Sequence, residues 1–240
     1  MRLQLDVPER SRLDEPLVVV ARLENDGASP VVTSTRLNIL EGDLSVALRP
    51  PGGAPGTVVW PWPMDSARRE ATLAPGERIE GGVLLHWGVA GPVCSSAGRY
   101  EVGGEFTTAP AEPPVASRPA TVLRDDAGSG SALACQRLLL DADVSRSLAS
   151  ASVVGSAGPA LAELASADAP AATRFLATLA LGDAAAVAAL AATVEPVDAA
   201  AWTTAVLPAG LFATDPRVAA VAEAVGTDAR AAAMLAERPI

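Results

Sequence analysis

The rhythm of apolar residues changes once along this chain, and that change restricts the available folds more than any other feature. Up to Leu123 the period is two. Leu3, Leu5 and Val7 alternate with Gln4 and Asp6, and Leu17, Val19, Ala21 and Leu23 oppose Arg22 and Glu24. Leu44, Val46 and Leu48 stand against Asp43, Ser45 and Arg49, and Tyr100, Val102 and Phe106 against Glu101 and Glu105. Alternation of this kind makes a strand with one buried face. Turn signals such as Asn25-Asp26-Gly27, Pro50-Pro51-Gly52-Gly53 and Ala97-Gly98 separate the runs. Roughly seven short strands with regular turns predict a two-layer sandwich.

After Ser131 the period becomes about 3.6, the helical value. Pro170 precedes the apolar set Phe175, Leu176 and Leu179, and Gly182-Asp183 ends that helix and caps the next. Glu195-Pro196 reads as a stop, Asp198 as the cap of a helix holding Trp202, Thr214-Asp215-Pro216 as a strong start, and Gly226-Thr227 as an end followed by a new cap. Between the two rhythms, Arg124 to Ser131 is polar, small and flexible, which suits a linker. The expected organisation is multi-domain: a sandwich over 1–123, a linker over 124–131 and an alanine-rich all-α domain of antiparallel helices over 132–240.

The stretch from Leu73-Ala74-Pro75-Gly76-Glu77 to Ala97-Gly98-Arg99-Tyr100-Glu101-Val102 resembles the E-to-F region of immunoglobulin-like domains, with Tyr100, the sole tyrosine, at the tyrosine-corner position. Val102 stands where antibody domains carry a disulfide cysteine, so the resemblance is not to that branch. Pro75-Gly76-Glu77, then Trp87, then Gly98-Arg99-Tyr100 is also similar in spacing to the bacterial intracellular proteinase-inhibitor type of sandwich. This resemblance implies an all-β immunoglobulin-like N-terminal part.

The residue inventory excludes several chemistries. The formal charge is −10, which repels nucleic-acid phosphates and anionic lipid headgroups alike. All basic residues are arginines, a mark of GC-rich codon usage, so a Walker A lysine or a Schiff-base lysine is not available. Cys94 and Cys135 read as free and buried, and with His86 they fall short of the four ligands of a structural zinc site. His86, the sole histidine, alternates with Leu85 and Trp87 and is expected to face outward, without a triad around it. No cofactor or metal is expected. The N-terminus lacks the apolar core of a signal peptide, and no run is long and apolar enough to span a bilayer, so the expectation is a soluble, cytoplasmic protein.

The most unusual segment is Val58-Val59-Trp60-Pro61-Trp62-Pro63-Met64. On extended chain Trp60 and Trp62 share a side, and the prolines keep the segment at an edge. It is either a lid closing on the core or an aromatic platform for a partner, with Trp60, Trp62 and Met64 as the contact residues. Asp141 with Asp143, and Asp125 with Asp126, are the carboxylate pairs that acid–base work would need; capping and solvation are the ordinary roles of such residues. The functional expectation is a non-catalytic interaction or scaffold protein that binds a protein partner, within a larger assembly. The alternative is a carboxylate-dependent hydrolase, or a carbohydrate-binding accessory module, using the Trp60/Trp62 platform.

Overall fold

The computed structural model describes residues 1–60, 69–109, 112–166, 168–207 and 214–236. The expected contact residues Trp62 and Met64 lie outside them. The strands are β1 (Arg2–Asp6), β2 (Arg10–Arg12), β3 (Val18–Glu24), β4 (Val31–Ser34), β5 (Leu44–Arg49), β6 (Gly56–Val58), β7 (Glu70–Leu73), β8 (Arg78–Leu84), β9 (Trp87–Gly88), β10 (Gly91–Pro92), β11 (Gly98–Phe106), β12 (Val115–Ala116) and β13 (Ala120–Asp125). One sheet runs β1-β3-β8, and a longer one runs β10-β9-β6-β5-β11-β13-β2 with β12 beside β11. A small pair, β4-β7, stands apart from both. Among the described residues the ladders are antiparallel except β13 with β2, where Leu123, Arg124 and Asp125 pair with Arg10, Ser11 and Arg12.

The strands curl around one apolar core. Val19, Ala21 and Leu23 of β3 face it together with Ile79 and Val83 of β8, and Val46, Leu48, Tyr100, Val102, Phe106 and Val122 meet them from the longer sheet. Leu3 and Leu5 of β1 reach across to Gly104 of β11, where an added Cβ would lie 3.2 Å from the Leu5 side chain. Tyr100 is 1% exposed, yet its hydroxyl is satisfied: it donates to the Ser96 carbonyl at 2.9 Å and accepts from the Ser96 N–H at 3.3 Å.

Helices follow: α1 (Ser131–Leu139), α2 (Ala142–Ser150), α3 (Gly158–Leu164), α4 (Ala171–Leu181), α5 (Ala184–Ala191), α6 (Pro196–Val206), α7 (Pro216–Val225) and α8 (Ala229–Leu235). Local chemistry sets most of their ends. Gly182 closes α4 at a left-handed φ of 80°, and the Asp183 carboxylate then accepts from the Ala186 N–H to open α5. Asp215 caps α7 with Pro216 in its first turn. Two expected caps shift. Asp228, not Thr227, caps α8, and α6 begins at Pro196, which leaves Asp198 inside its first turn. The proline read as a stop is a start, because its missing N–H costs nothing there.

α6 is apolar nearly all round and is buried as such a helix must be. It packs on α4, α7, α8 and the outer face of β8. Trp202 of α6 meets Phe175 of α4 with ring centroids 5.3 Å apart. At Gly82 the helix comes so close to the sheet that an added Cβ would lie 1.8 Å from the Ala201 carbonyl oxygen. The Gly82 N–H donates to the Thr204 hydroxyl at 2.8 Å across the same seam. Val18, Val20 and Leu84 therefore belong to the helical core although they sit on strands.

This corrects the expected fold class. The architecture is mixed α/β: a curled half-barrel of strands, with one parallel pair, against which the helices pack. It is not an immunoglobulin-like all-β sandwich followed by a separate all-α helical bundle. The physical reason lies on β3 and β8, which are apolar on both faces where α6 covers them. Arg124 and Asp125, expected in the linker, lie in β13, and Arg124 is 3% exposed. Among the described residues no helix is long and apolar enough to cross a membrane.

Candidate functional site

The surface richest in recognition chemistry lies where the β9–β10 hairpin meets α2. The hairpin is short, with Gly88 opposite Gly91 and Trp87 opposite Pro92. Gly91 turns it at a φ of 120°, a region side chains avoid. Its tip presents Val89 at 85% exposure, the most exposed of the large apolar residues described. The Val59 N–H donates to the Trp87 carbonyl at 2.9 Å, so the chain leaving β6 reaches Trp60 alongside the hairpin. α2 is fixed at its start by the Asp141 carboxylate, which accepts from the N–H groups of Asp143 and Val144.

Two adjacent residue pairs join hairpin to helix. On the inside, His86 Nε2 lies 3.1 Å from the Ser145 hydroxyl. The same hydroxyl lies 2.7 Å from the Leu139 carbonyl oxygen, to which it donates. On the outside, the Arg146 guanidinium lies over the Trp87 ring, 5.1 Å from its centroid. Trp87 is half-buried and Arg146 keeps 38% of its side chain exposed, so this pair faces solvent beside Val89.

The nucleophilic groups nearby are held in unreactive states. Burial, then the charge of Arg124, pushes the His86 imidazole down to about 4, so it is neutral. Burial raises the Cys94 thiol to about 12, and burial followed by Asp14 raises Cys135 to about 11. Arg124 donates to the Ser11 hydroxyl and, at 2.9 Å, to the Glu15 carbonyl, while its Nε has no hydrogen-bond partner among the described residues.

The sequence-derived candidates fall as follows. Trp60 is half-buried and packs against the helical core. His86 does not face outward, as its parity suggested, but is 6% exposed. β8 ends at Leu84, so strand alternation no longer governs Leu85 and His86, and both turn inward. Both cysteines are free and buried. Asp125 forms a two-pronged pair with Arg10, at 3.0 and 2.8 Å. Asp141 is a helix cap, and Asp143 lies 3.7 Å from Arg146. Among the described residues no group of three His, Cys, Asp or Glu side chains could hold a metal ion. Sequence reading placed Trp87 in a strand but did not single it out as a contact residue, and it passed over Val89 and Arg146. The signal that could have found the hairpin is Gly88-Val89-Ala90-Gly91, a glycine-flanked turn with an apolar residue at its tip.

No protein-family model and no curated protein matches the sequence. Among solved structures, the chain is similar to a β-glucosidase from Listeria innocua in complex with isofagomine, at a TM-score of 0.30 and 16% identity over 51% of this chain. A mutant of that enzyme in complex with laminaribiose aligns at 0.30 and 15% identity over 52% of this chain. A Bacteroides uniformis β-glucuronidase aligns at 0.26 and 14% identity over 51% of this chain and 13% of its own length. The chain spans 16% of the length of the β-glucosidase. Superpositions this loose leave fold and activity to be argued from the residues themselves.

Proposed function

We propose that this chain is a non-catalytic interaction protein that binds a protein partner at the surface formed by Trp87, Val89 and Arg146. The carrying observation is the Trp87–Arg146 stack beside an 85% exposed valine. Tryptophan and arginine dominate interface energetics, and an exposed apolar tip next to them supplies area that gains from being covered. The neutral, hydrogen-bonded His86 and the protonated thiols support a binding role over a chemical one. Of the carboxylates that a hydrolase would recruit, Asp141 is a helix cap, Asp125 and Asp143 lie in ion pairs, and Asp126 is exposed, while Trp60 packs inward, which leaves the carbohydrate reading without a carrying observation. The two free thiols suit a reducing compartment, and we infer a cytoplasmic setting from them.

The test is cross-linking mass spectrometry of the purified protein with its native host extract, run for wild type, Val89→Asp and Trp87→Ala. A discrete partner cross-linked near the hairpin, and lost at least about tenfold in both variants, is the expected result. Cross-links that ignore the hairpin, or survive both substitutions, would remove the proposal. Proteinases belong in the screen, since the Pro75-Gly76-Glu77, Trp87 and Tyr100 spacing resembles an inhibitor type.

A further inference from the structure

Sheet edges attract other strands unless something guards them, and most edges described here are guarded. β10 is two residues long and carries Pro92, which has no N–H to offer. β2 is three residues long, and just beyond it the Asp14 carbonyl is bound by the Cys135 thiol and the Thr173 hydroxyl. β8 is approached by Leu37, whose carbonyl oxygen would lie 2.9 Å from a Cβ on Gly81.

β1 differs. It is five residues long and pairs only with β3 among the described residues. A cleft of about 510 Å³ runs along it, lined by Arg2 to Asp6 on one side and by Val115, Ala116 and Arg118 to Ala120 on the other. Leu3 and Leu5 point into the core, while Arg2, Gln4 and Asp6 alternate with them toward the outside.

We propose that the chain self-associates through this edge, with a second copy as the occupant: two β1 strands pair antiparallel about a two-fold axis at Gln4. The argument is charge complementarity. In Arg2-Leu3-Gln4-Leu5-Asp6, pairing about the central residue sets Arg2 of each copy opposite Asp6 of the other, and Leu3 opposite Leu5. Opposite charges directly across a ladder stabilise it, and like charges destabilise it. A parallel arrangement would set Arg2 against Arg2, and a one-residue slip would set Arg2 against Leu5 or Val7 and Asp6 against Met1 or Leu3, so the two ion pairs select one register. Arg2 and Asp6 have partners within the chain, Glu24 for Arg2 and Arg22 with Arg230 of α8 for Asp6, but keep 50% and 48% of their side chains exposed. Each can therefore bridge to the second copy without leaving the first. Such an interface is self-complementary and closes at two copies. It would join two three-stranded sheets into one of six, in the order β8-β3-β1-β1-β3-β8. This surface is separate from the hairpin, so each proposal can fail without the other.

Sedimentation velocity over a concentration series tests it, with Arg2→Asp and Asp6→Arg. Wild type is expected to dimerise reversibly. Each single reversal sets like charges opposite each other twice and should weaken the dimer by at least about tenfold. An equimolar mixture of the two variants restores both opposite-charge pairs and should recover the dimer. A wild type that stays monomeric throughout, variants that dimerise as well as wild type, or a mixture of folded variants that remains monomeric would each overturn it. Hydrogen exchange on wild type needs no variant: protection at the β1 amides should rise with protein concentration. Protection that is independent of concentration would also overturn it.

Discussion

The two faces of the β1–β3–β8 sheet are built from the same strands by different means. The inner face is held by bulk: Leu3, Leu5, Val19, Leu23, Ile79 and Val83 interdigitate with the opposing strands. The outer face is divided. Where α6 covers it, the pairs Val18–Leu84 and Val20–Gly82 are apolar, and the closest approach depends on a side chain that is missing at Gly82. One step further along, Arg22 pairs with Glu80, and the cover is α8, whose Arg230 joins the same carboxylate. Burial acts to raise the Glu80 carboxyl, but hydrogen bonds from Arg230 and Arg22 outweigh it and hold the carboxyl below its ordinary value. A core filled by volume degrades gradually when atoms are removed. A seam made by close approach fails when atoms are added.

The sharpest way to break that contrast is to add one carbon to the seam and remove two from the neighbouring inner position. Gly82→Ala forces α6 to move off the Ala201 carbonyl, and should destabilise by about 3 kcal/mol or more, against about 2 kcal/mol for Val83→Ala. Urea unfolding of the two variants gives the comparison, and a smaller loss for Gly82→Ala would mean that the helix layer can yield. An intermediate effect is expected from acid. The unfolded chain takes up a proton at His86 below about pH 6.5, the folded chain only near pH 4. Stability should therefore be complete above pH 6.5, fall by about 3 kcal/mol on the way to pH 4, and then stop changing on this account. Thermal melts across that window should show a shallower slope for His86→Gln than for wild type. The smallest effect belongs to the inner face. Tyr100→Phe keeps the ring and loses only the bonds to Ser96, costing about 1–2 kcal/mol by urea titration.

What could be read from sequence follows the same division. The inner face was legible because alternation reports one buried side, and Leu3, Leu5, Val19, Leu23 and Val102 stand where the rhythm put them. The outer face was not, because Val18, Val20 and Leu84 were passed over as the weak phase of a one-sided strand. The unbroken runs Leu17 to Ala21 and Gly81 to Leu85 carry the signature of strands covered on both sides. The caps at Asp183 and Asp215 were legible from chemistry confined to neighbouring residues. The Trp87–Arg146 and His86–Ser145 contacts were not, because nothing local links a hairpin to a helix so distant in sequence.

The parallel pairing of β2 with β13 also sets an order of events during synthesis. Arg10 to Arg12 find their partners only when Leu123 to Asp125 have emerged from the ribosome. Loops this long close slowly, because much chain entropy is lost before the contact rewards it. The helices come later still, and α6 needs β8 as its floor. A nascent chain stalled before residue 125 would hold its first strands waiting, with the apolar outer surface of β3 and β8 bare and open to whatever chaperone is nearest.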